Sequence, residues 1–537
     1  MTNSSSIDKK IVTYALPYAN GMLHLGHVMG MIQADCYVRS LRLLGKQVTF
    51  VCGDDAHGTP IMLNAQKQKV TPDALVAEFL QEHIQDVNAF NISFDGYHTT
   101  HCALNTEIVH EVYHRLQKKE VIVKKQIEQA YDETAQMFLP DRYIKGTCPK
   151  CGAIDQYGDH CEVCGKTYDI KELKEPKSTM TNSDPVWKLS SHDFFRLSTE
   201  QSYVSSWLGE VEIQEAVKNK LSEWFVDGLQ DWDITRDAPY FGIEIPNQKD
   251  KYFYVWLDAP FGYMSSLGKT LSLATVAAIF EEWNHSQIEH FIGKDIVCFH
   301  GVFWPAVLNK AGLKAPDRLH VHGFLTLSGA KMSKSRGTFL TARAYLSKLS
   351  PDLVRYYFAS RLSHSVSDVD LDWADFVQKI NSDLVGKLAN IGSRCQGFVH
   401  KHQGGRLTQK IDQIFWDKIV SHHSEIAASY EAVNLAQTCR LIMMLCDETN
   451  HYIAEKKPWA LAKEGQLEEL ELCVNTAMNV FRYLVYWLSP ITPGLAQTVA
   501  LAMGDSAPVL VREPLLDKTI EPFSHLISRL TADQVQF

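Results

Sequence analysis

The first part of the chain contains two apolar runs joined by a helical segment, and this arrangement constrains the fold most strongly. The runs IVTYAL (11–16) and QVTFVCG (47–53) have the length and composition of buried strands. Between them, residues 22–45 carry apolar side chains at helical spacing. Two such strands pair in parallel with a right-handed crossover, and ligands bind at their carboxyl ends. We therefore predict a Rossmann-type α/β domain with a site formed by residues 17–21 and 54–59.

The character of the sequence changes twice further along its 537 residues, a length typical of about three or four domains. Cysteines, glycines and short aromatic strands mark 118–250 as an insertion, after which the α/β pattern returns. Residues 406–489 contain one proline and one glycine and have helical periodicity, which favours a helix bundle. The predicted domains are the first half of the Rossmann-type α/β domain (1–117), a connective insertion (118–250), the second half of the α/β domain (251–326), a connecting region (327–388) and an α-helical bundle (389–537).

Composition excludes several classes of protein. The net charge of −10 argues mildly against a general nucleic-acid coat protein. No apolar run approaches the roughly 18–20 residues of a membrane span, and the polar start MTNSSSIDKK has no secretory signal pattern. Twelve cysteines are too sparse for a disulfide scaffold. We therefore expect a cytoplasmic protein that does not bind membranes.

Four of the cysteines are clustered and predict a metal site. CPKC (148–151) and CEVC (161–164) are separated by nine residues, and each is followed directly by a glycine, which suits a tight turn. Four thiolates at this spacing are typical of structural Zn²⁺ with tetrahedral geometry and no open position. A redox pair is the alternative, but two adjacent CxxC units outside a thioredoxin context argue against it. The predicted ligands are Cys148, Cys151, Cys161 and Cys164.

HLGH (24–27) lies where the first helix is predicted to begin. The positive end of the helix and its free N–H groups suit a phosphate, and Gly26 lets a flat ligand approach the backbone. His24 and His27 are three residues apart and therefore share one helical face. A surface histidine pair or a chance metal pair would have the same short pattern.

HGFLTLSGAKMSKSRGT (322–338) is a second cationic segment. It places Lys331, Lys334 and Arg336 among small residues, so a mobile loop could bring compact positive charge to a polyphosphate. A solvated basic turn is the alternative when KMSKS is taken by itself. Beside a helix N-terminus, the loop would instead suit a polyphosphate.

The two segments occur together with several longer motifs. In chain order these are ALPYANG, HLGH, DDAHGTPI, WDITRDAPYFG, YVWLDAP, FIGKDIV and KMSKS. HLGH and KMSKS resemble the two signatures of class I aminoacyl-tRNA synthetases, and the full set resembles the methionyl-tRNA synthetases of bacterial type with a four-cysteine zinc insertion. The resemblance implies a methionine–tRNA ligase that uses ATP, L-methionine and tRNA(Met), with Mg²⁺ accompanying ATP. Many bacterial members continue into a further tRNA-binding domain that dimerises them, whereas this sequence ends at SRLTADQVQF. Either the natural protein is short, or this sequence is a piece of a longer one; as given, we expect a monomer.

The resemblance also assigns site residues. It implies catalytic roles for His24, His27, Lys331 and Lys334, and ATP binding by Gly26, Arg236, Gly293, Asp295 and Lys334. The implied methionine pocket consists of Ala15, Leu16, Tyr18, Asp55, Trp256, Ala259, Pro260, Tyr263, Ile296 and His300. Asp55 would pair with the ammonium group, and Tyr263 and His300 would face the sulfur. Without the resemblance, Trp256 and Pro260 indicate ordinary core, and the Asp54–Asp55 pair could belong to a metal or ribose site.

The helical region is implied to read the anticodon. Unpaired bases are recognised by stacking on aromatic rings and by hydrogen bonds to base edges. LANIGSR (388–394) matches the family at Asn390 and Arg394, and KKPWALAKEG (456–465) matches at Trp459. Taken alone, a tryptophan that follows a proline near a helix start indicates packing.

Three other functions compete with this prediction. A synthetase for leucine, isoleucine or valine would carry a large editing domain, for which the insertion leaves little room, and a cysteine enzyme would need an open zinc site. A non-catalytic RNA-binding module has no need of both HLGH and KMSKS. A smaller nucleotidyltransferase of the same superfamily would lack the zinc insertion and the helix bundle.

Overall fold

The structure is a computed structural model. It describes residues 9–140, 143–158, 161, 163–164, 166, 168–331, 339–523 and 526–537, with the backbone alone at 330–331. Of the predicted catalytic residues, Lys334 and the side chain of Lys331 lie outside the described part of the chain.

The predicted βαβ unit is present at the start of the chain. The elements up to residue 118 are β1 (Lys10–Tyr14), α1 (Leu25–Leu43), β2 (Val48–Asp54), α2 (Thr59–Gln68), α3 (Pro72–Ala89), β3 (Gly96–Thr99) and α4 (Ala103–Lys118). Helix α1 begins three residues later than predicted, and β1 ends two residues earlier. Residues 15–24 therefore leave the sheet as a connection.

The insertion consists mainly of short antiparallel strands. Its elements are β4 (Ile122–Asp132), β5 (Met137–Phe138), β6 (Ile144–Thr147), β7 (Gln156–Tyr157), β8 (Lys174–Ser178), β9 (Val186–Phe195), α5 (Gln201–Glu210), α6 (Glu215–Ser222), β10 (Trp232–Asp233), β11 (Thr235–Asp237) and β12 (Lys251–Phe253). One sheet has the order β10-β9-β4-β5, β6 pairs with β7 and β8, and β11 pairs with β12.

The second half of the α/β unit follows and completes the parallel sheet. It contains α7 (Val255–Asp258), α8 (Gly262–Thr270), α9 (Val276–Asn284), β13 (Gln287–Gly293), α10 (Trp304–Ala311) and β14 (Arg318–His322). Parallel pairings give the order β14-β13-β1-β2-β3. The carboxyl ends of β1, β2, β13 and β14 thus meet at one edge of the sheet, which is where ligands bind in such folds.

The remaining elements are mostly helical. They are β15 (Leu325–Leu327), β16 (Ala330–Lys331), α11 (Ala342–Leu346), α12 (Pro351–Ala359), β17 (Val369–Leu371), α13 (Trp373–Ile380), α14 (Asn390–Gln403), β18 (Arg406–Leu407), α15 (Gln413–Val420), α16 (His423–Glu431), α17 (Leu435–Lys456), α18 (Pro458–Glu464), α19 (Leu467–Leu488), α20 (Pro493–Ala502) and β19 (Lys518–Thr519). The predicted α/β fold with a cysteine-bearing insertion and a helical C-terminal region is confirmed, and the individual domain boundaries stay predictions. None of the described helices is long and apolar enough to cross a membrane.

A buried arginine joins the helical region to the α/β unit. Arg355 on α12 is fully buried and donates hydrogen bonds to the carbonyl oxygens of Pro490 (2.8 Å) and Ile491 (2.8 Å). The same guanidinium donates to Asp35 Oδ2 of α1 at 2.6 Å. A buried charge is stable only when it is paired. This network therefore holds the middle of α1, at Asp35, against the C-terminal helices.

Candidate active site

Helix α1 begins with a hydrogen-bonded histidine pair. His24 is the N-cap residue, and its Nδ1 accepts a hydrogen bond from Gly26 N–H at 3.0 Å. His27 Nδ1 lies 3.4 Å from His24 N–H, which completes a capping box, and the two imidazole rings stack at 3.8 Å. A side chain at position 26 would meet the His24 ring at 2.8 Å, so this position requires glycine. Burial lowers the pKa of His27 well below its usual value, with His24 adding to the effect, so His27 is neutral.

The segment that follows the cationic loop is attached to the start of α1. Leu25 N–H donates to Leu340 O at 3.1 Å, and Ala342 N–H donates to Leu23 O at 2.9 Å. The Phe339 ring stands edge-on to the His24 ring at 5.2 Å. Residues 339–342, which follow the predicted cationic segment, therefore lie beside the HLGH segment, from which they are separated by about 300 residues in sequence.

A cavity of about 860 Å³ opens beside this helix start, at the carboxyl ends of the parallel strands. Its lining contains these residues of the predicted set: Ala15, Leu16, Tyr18, His24, Gly26, His27, Asp55, Arg236, Trp256, Gly293, Asp295 and Ile296. The cavity thus brings together residues predicted for ATP and for methionine.

Asp55 gives the cavity a carboxyl group with one oxygen that is unpaired among the described residues. Backbone hydrogen bonds fix its position, since Asp55 N–H donates to Pro17 O and its carbonyl accepts from Ala19 N–H, both at 2.8 Å. Its Oδ1 atom is buried and has no hydrogen-bond partner among the described residues. Burial raises the pKa of this carboxyl well above its usual value, and the nearby carboxylate of Asp258 raises it further. A cation bound at Asp55 would relieve both effects.

Four residues of the predicted methionine pocket do not line this cavity. Ala259, Pro260, Tyr263 and His300 are buried, and the Trp256 ring near them stacks on Phe299 at 3.7 Å. Pro260 lines a separate void of about 10 Å³ together with Trp256. The structure therefore places six residues of the predicted methionine pocket at the cavity and four in the protein interior.

Tyr263 and His300 nonetheless form the predicted polar pair. Tyr263 OH lies 2.9 Å from His300 Nε2, and His300 Nδ1 lies 3.2 Å from Ile296 O. A carbonyl oxygen only accepts, so Nδ1 carries the proton and Nε2 accepts from the tyrosine. Burial lowers the pKa of His300 to about 4, with the Ile296 hydrogen bond opposing the shift, so the ring is neutral.

The cavity also contains residues that the sequence did not single out. Tyr14 and His322 stack with their rings almost parallel, and His322 Nε2 is buried without a partner among the described residues. A side chain at Gly30 would approach Tyr14 OH to 2.5 Å, which explains that glycine. Tyr14 is the last residue of β1, and His322 is the last residue of β14. Both could have been predicted from the rule that ligands lie at the carboxyl ends of parallel strands.

The four predicted metal ligands are brought together by the insertion. Their Sγ atoms all lie within 4.8 Å of one another, with Cys148–Cys164 at 3.9 Å and Cys151–Cys161 at 3.6 Å. These distances are too long for disulfides, which excludes a formed redox bridge in this structure. A tetrahedron with Zn–S bonds of about 2.3 Å separates its sulfurs by about 3.8 Å, so the group fits a metal ion. Gly152 has φ +75°, as its predicted turn requires.

The three predicted anticodon residues lie on one part of the helical region. The Arg394 guanidinium lies 5.0 Å from the centre of the Trp459 ring, and 46% of Trp459 is exposed. Asn390 lies one turn before Arg394 on α14 and donates to Asn450 Oδ1 at 2.8 Å. Trp459 is thus not a core residue, and one side of the pair is open to a planar ligand.

Comparison with known proteins gives consistent matches. The family model described as "tRNA synthetases class I (M)" matches residues 10–396. Two solved structures of Mycobacterium tuberculosis methionyl-tRNA synthetase with methionyl-adenylate superpose with a TM-score of 0.81 at 24% identity, covering 97% and 96% of this chain and 99% of each enzyme chain. The apo form of that enzyme gives a TM-score of 0.73 at 21% identity, covering 99% of this chain and 100% of the other. The structural matches extend the shared fold through the helical region. Since the family model covers well over half of its residues, the chain belongs to the class I tRNA synthetases of the (M) family.

Proposed function

We propose that the chain is a methionine–tRNA ligase. It would convert methionine and ATP into methionyl-adenylate and pyrophosphate, and then transfer methionine to the terminal ribose of tRNA(Met). The observation that carries the proposal is the shared cavity, in which the histidine-capped start of α1 faces the same space as Asp55, whose Oδ1 atom has no partner in the described part of the chain. The Mycobacterium tuberculosis structures named above contain methionyl-adenylate, which supports the assignment.

Asp55 would bind the ammonium group of methionine. A buried carboxylate without a partner becomes favourable when a cation approaches, and an α-amino acid supplies that cation. The uncharged side chain would then lie towards Trp256 and the Tyr263–His300 pair. A thioether is a weak acceptor and an apolar group, so a mainly aromatic pocket with one polar pair suits it.

The start of α1 would bind the phosphates of ATP. Gly26 N–H and His24 N–H occupy the Nδ1 atoms of His24 and His27, so in the neutral rings Nε2 carries the proton and can donate to a phosphate oxygen. These donors and the helix dipole stabilise negative charge as it grows on the α-phosphate and the departing pyrophosphate. Lys334, assisted by Lys331, would neutralise that pyrophosphate. Mg²⁺ accompanies ATP and supplies further positive charge. No covalent protein nucleophile is needed, because the methionine carboxylate attacks phosphorus directly.

The second step would use the helical region to select the tRNA. A base could stack on the exposed face of Trp459 while Asn390 and Arg394 contact its edge or its phosphate. The hydroxyl of the terminal ribose, the 2′-hydroxyl by class I analogy, would attack the adenylate carbonyl and release AMP. Such an enzyme acts with the translation machinery, so its expected location is the cytoplasm.

We further infer that the four-cysteine group holds one structural Zn²⁺. Cys148, Cys151, Cys161 and Cys164 supply all four ligands of a tetrahedral ion, so the ion would stabilise the insertion and take no part in the reaction. Metal analysis should find about one zinc per chain, with loss of zinc in Cys161→Ser and retention in Cys298→Ser. Fully folded protein that contains no metal would contradict this inference.

Methionine-dependent ATP–pyrophosphate exchange tests the proposed function without tRNA. We expect a signal confined mainly to methionine when all twenty amino acids are compared in the presence of magnesium. A signal with another amino acid would contradict the methionine pocket. No signal with any amino acid from folded protein would favour a non-catalytic RNA-binding module.

A further inference from the structure

His192 of β9 lies in an unusual position between two carboxylates. It is completely buried, and its Nδ1 lies 2.8 Å from Asp233 Oδ2 and 3.1 Å from Asp233 Oδ1. Its Nε2 lies 2.8 Å from Asp237 Oδ2. Both aspartates belong to the WDITRDAPYFG segment, whereas His192 comes from the long ladder of the insertion. Within the insertion, the histidine therefore joins the long ladder of β4 and β9 to the segment that borders the cavity.

The contacts fix the protonation of this imidazole. The atom nearest to each ring nitrogen is a carboxylate oxygen, and both nitrogens donate to these oxygens in the imidazolium form, whereas Gln129 Nε2 lies farther from His192 Nε2, at 3.3 Å. Burial by itself lowers the pKa of His192, but the hydrogen bonds and charges of Asp233 and Asp237 outweigh burial and raise that pKa above its usual value. The other polar groups around it are Gln129 of β4, Ser190 of β9 and Lys251 of β12, and the last two contact Asp237.

Arg236 lies between the two aspartates in sequence and lines the cavity. Its guanidinium covers the Tyr254 ring at 3.7 Å, and its Nη1 donates to Thr235 O at 2.6 Å. Nη1 also lies 3.8 Å from Asp233 Oδ2, the oxygen that His192 contacts at 2.8 Å. Asp233 is thus shared by two cations, one inside the protein and one at the cavity.

We propose that His192 is a positioning residue, which neutralises Asp233 from behind and so leaves the charge of Arg236 available to an anionic group of the substrate. With His192 charged, three cations (His192, Arg236 and Lys251) face two carboxylates, and one positive charge remains for the cavity. With His192 neutral, the cluster has no net charge and Asp233 draws Arg236 away from the ligand. This inference rests on the proposed function. The anionic group is either the methionine carboxylate or a phosphate of ATP.

The proposal has a defined pH dependence. The imidazolium is present below the pKa of His192 in the folded protein and is lost as pH rises through it. Because that pKa lies above the usual value of about 6.5, the KM of the substrate that Arg236 holds should increase with pH in the range above 6.5.

The test compares His192→Gln with the double variant His192→Gln/Asp233→Asn in methionine-dependent pyrophosphate exchange. Glutamine still donates one hydrogen bond but has no charge, so the KM for methionine or for ATP should rise about tenfold. The substrate that changes identifies the anion. Removing the Asp233 charge should then restore most of the lost affinity, since Asp233 no longer competes for Arg236.

Other results would overturn the proposal. An unchanged KM in His192→Gln, or a raised KM that Asp233→Asn does not restore, would show that His192 has only a structural role. If His192→Gln does not fold, Asp233→Asn alone should abolish the pH dependence of KM, and persistence of that dependence would contradict the proposal. An inactive wild-type protein would instead refute the proposed function, and the proposal with it.

Discussion

The cavity and the Arg394–Trp459 pair differ in whether their polar groups are buried and whether those groups already have a partner. In the cavity, Asp55 Oδ1 and His322 Nε2 are buried without a partner among the described residues. In the helical region, the Arg394 guanidinium already lies against the Trp459 ring, which is largely open to solvent. In the first site, buried polar atoms lack hydrogen-bond partners, and a ligand can supply those partners. The second presents a preformed, solvated surface.

This difference corresponds to two kinds of recognition. Chemistry on phosphates needs donors and charges that are fixed in advance in a water-poor space, and such groups cost stability when the site is empty. Reading a base needs a flat ring with accessible edges, which costs little to keep exposed. Substitutions in the two sites should therefore differ in size, in the reaction step that they affect and in their effect on folding.

The largest effect is expected for Asp55→Asn. It should lower kcat/KM for methionine in pyrophosphate exchange by roughly a hundredfold, because loss of one partner of a buried charge pair costs about 2–5 kcal/mol. The melting temperature should rise, since a buried group with a raised pKa opposes folding once it ionises. Asp184→Asn, on an exposed residue paired with Lys177, should change neither quantity. If Asp55→Asn lost activity because the protein unfolded at a lower temperature, Asp55 would stabilise the fold, and the contrast between the two sites would be wrong.

A smaller effect is expected for Trp459→Ala. Loss of one stacked base costs about 1–3 kcal/mol, so the KM for tRNA in aminoacylation should rise about tenfold. Pyrophosphate exchange should not change, because that reaction does not use the anticodon. Ile414→Ala removes another exposed apolar side chain of the helical region and should leave both assays unaltered. An equal loss in both assays would mean that Trp459 supports folding.

The smallest effect is expected from salt. Raising ionic strength should increase the KM for tRNA several-fold, because exposed cations and phosphates are screened. The KM for methionine should change by less than about twofold, since the Oδ1 atom of Asp55 is buried and salt screens buried charges less than exposed ones. Steady-state assays at two salt concentrations would measure both values. A strongly salt-dependent KM for methionine would indicate an open site around Asp55.

Local patterns predicted the fold class and the start of the site. The βαβ unit follows from apolar runs of strand length, and the helix start follows from HLGH, although His24 proved to be the cap and not part of the helix. The family resemblance added Asp55, which the cavity contains. The separation of Tyr263 and His300 from the cavity could not be predicted, because it depends on the stacking of Trp256 on Phe299. Nor could the link from His192 to Asp233, since the two residues are about 40 positions apart and nothing local in the sequence shows that their strands pair.

Because the insertion divides the parallel sheet in sequence, the strands of that sheet become available for pairing at different times during synthesis. Strand β1 pairs with β2 on one side and with β13 on the other, and residues 100–286 separate β3 from β13. At roughly 5–20 residues per second, a ribosome exposes β1–β3 for about ten to forty seconds before β13 and β14 are complete. During that interval the edge of β1 that later pairs with β13 is unpaired and can bind other chains. Gly293, Asp295 and Ile296, which line the cavity, have not yet been added. A nascent chain of this enzyme therefore needs protection from aggregation for longer than its small first domain would suggest.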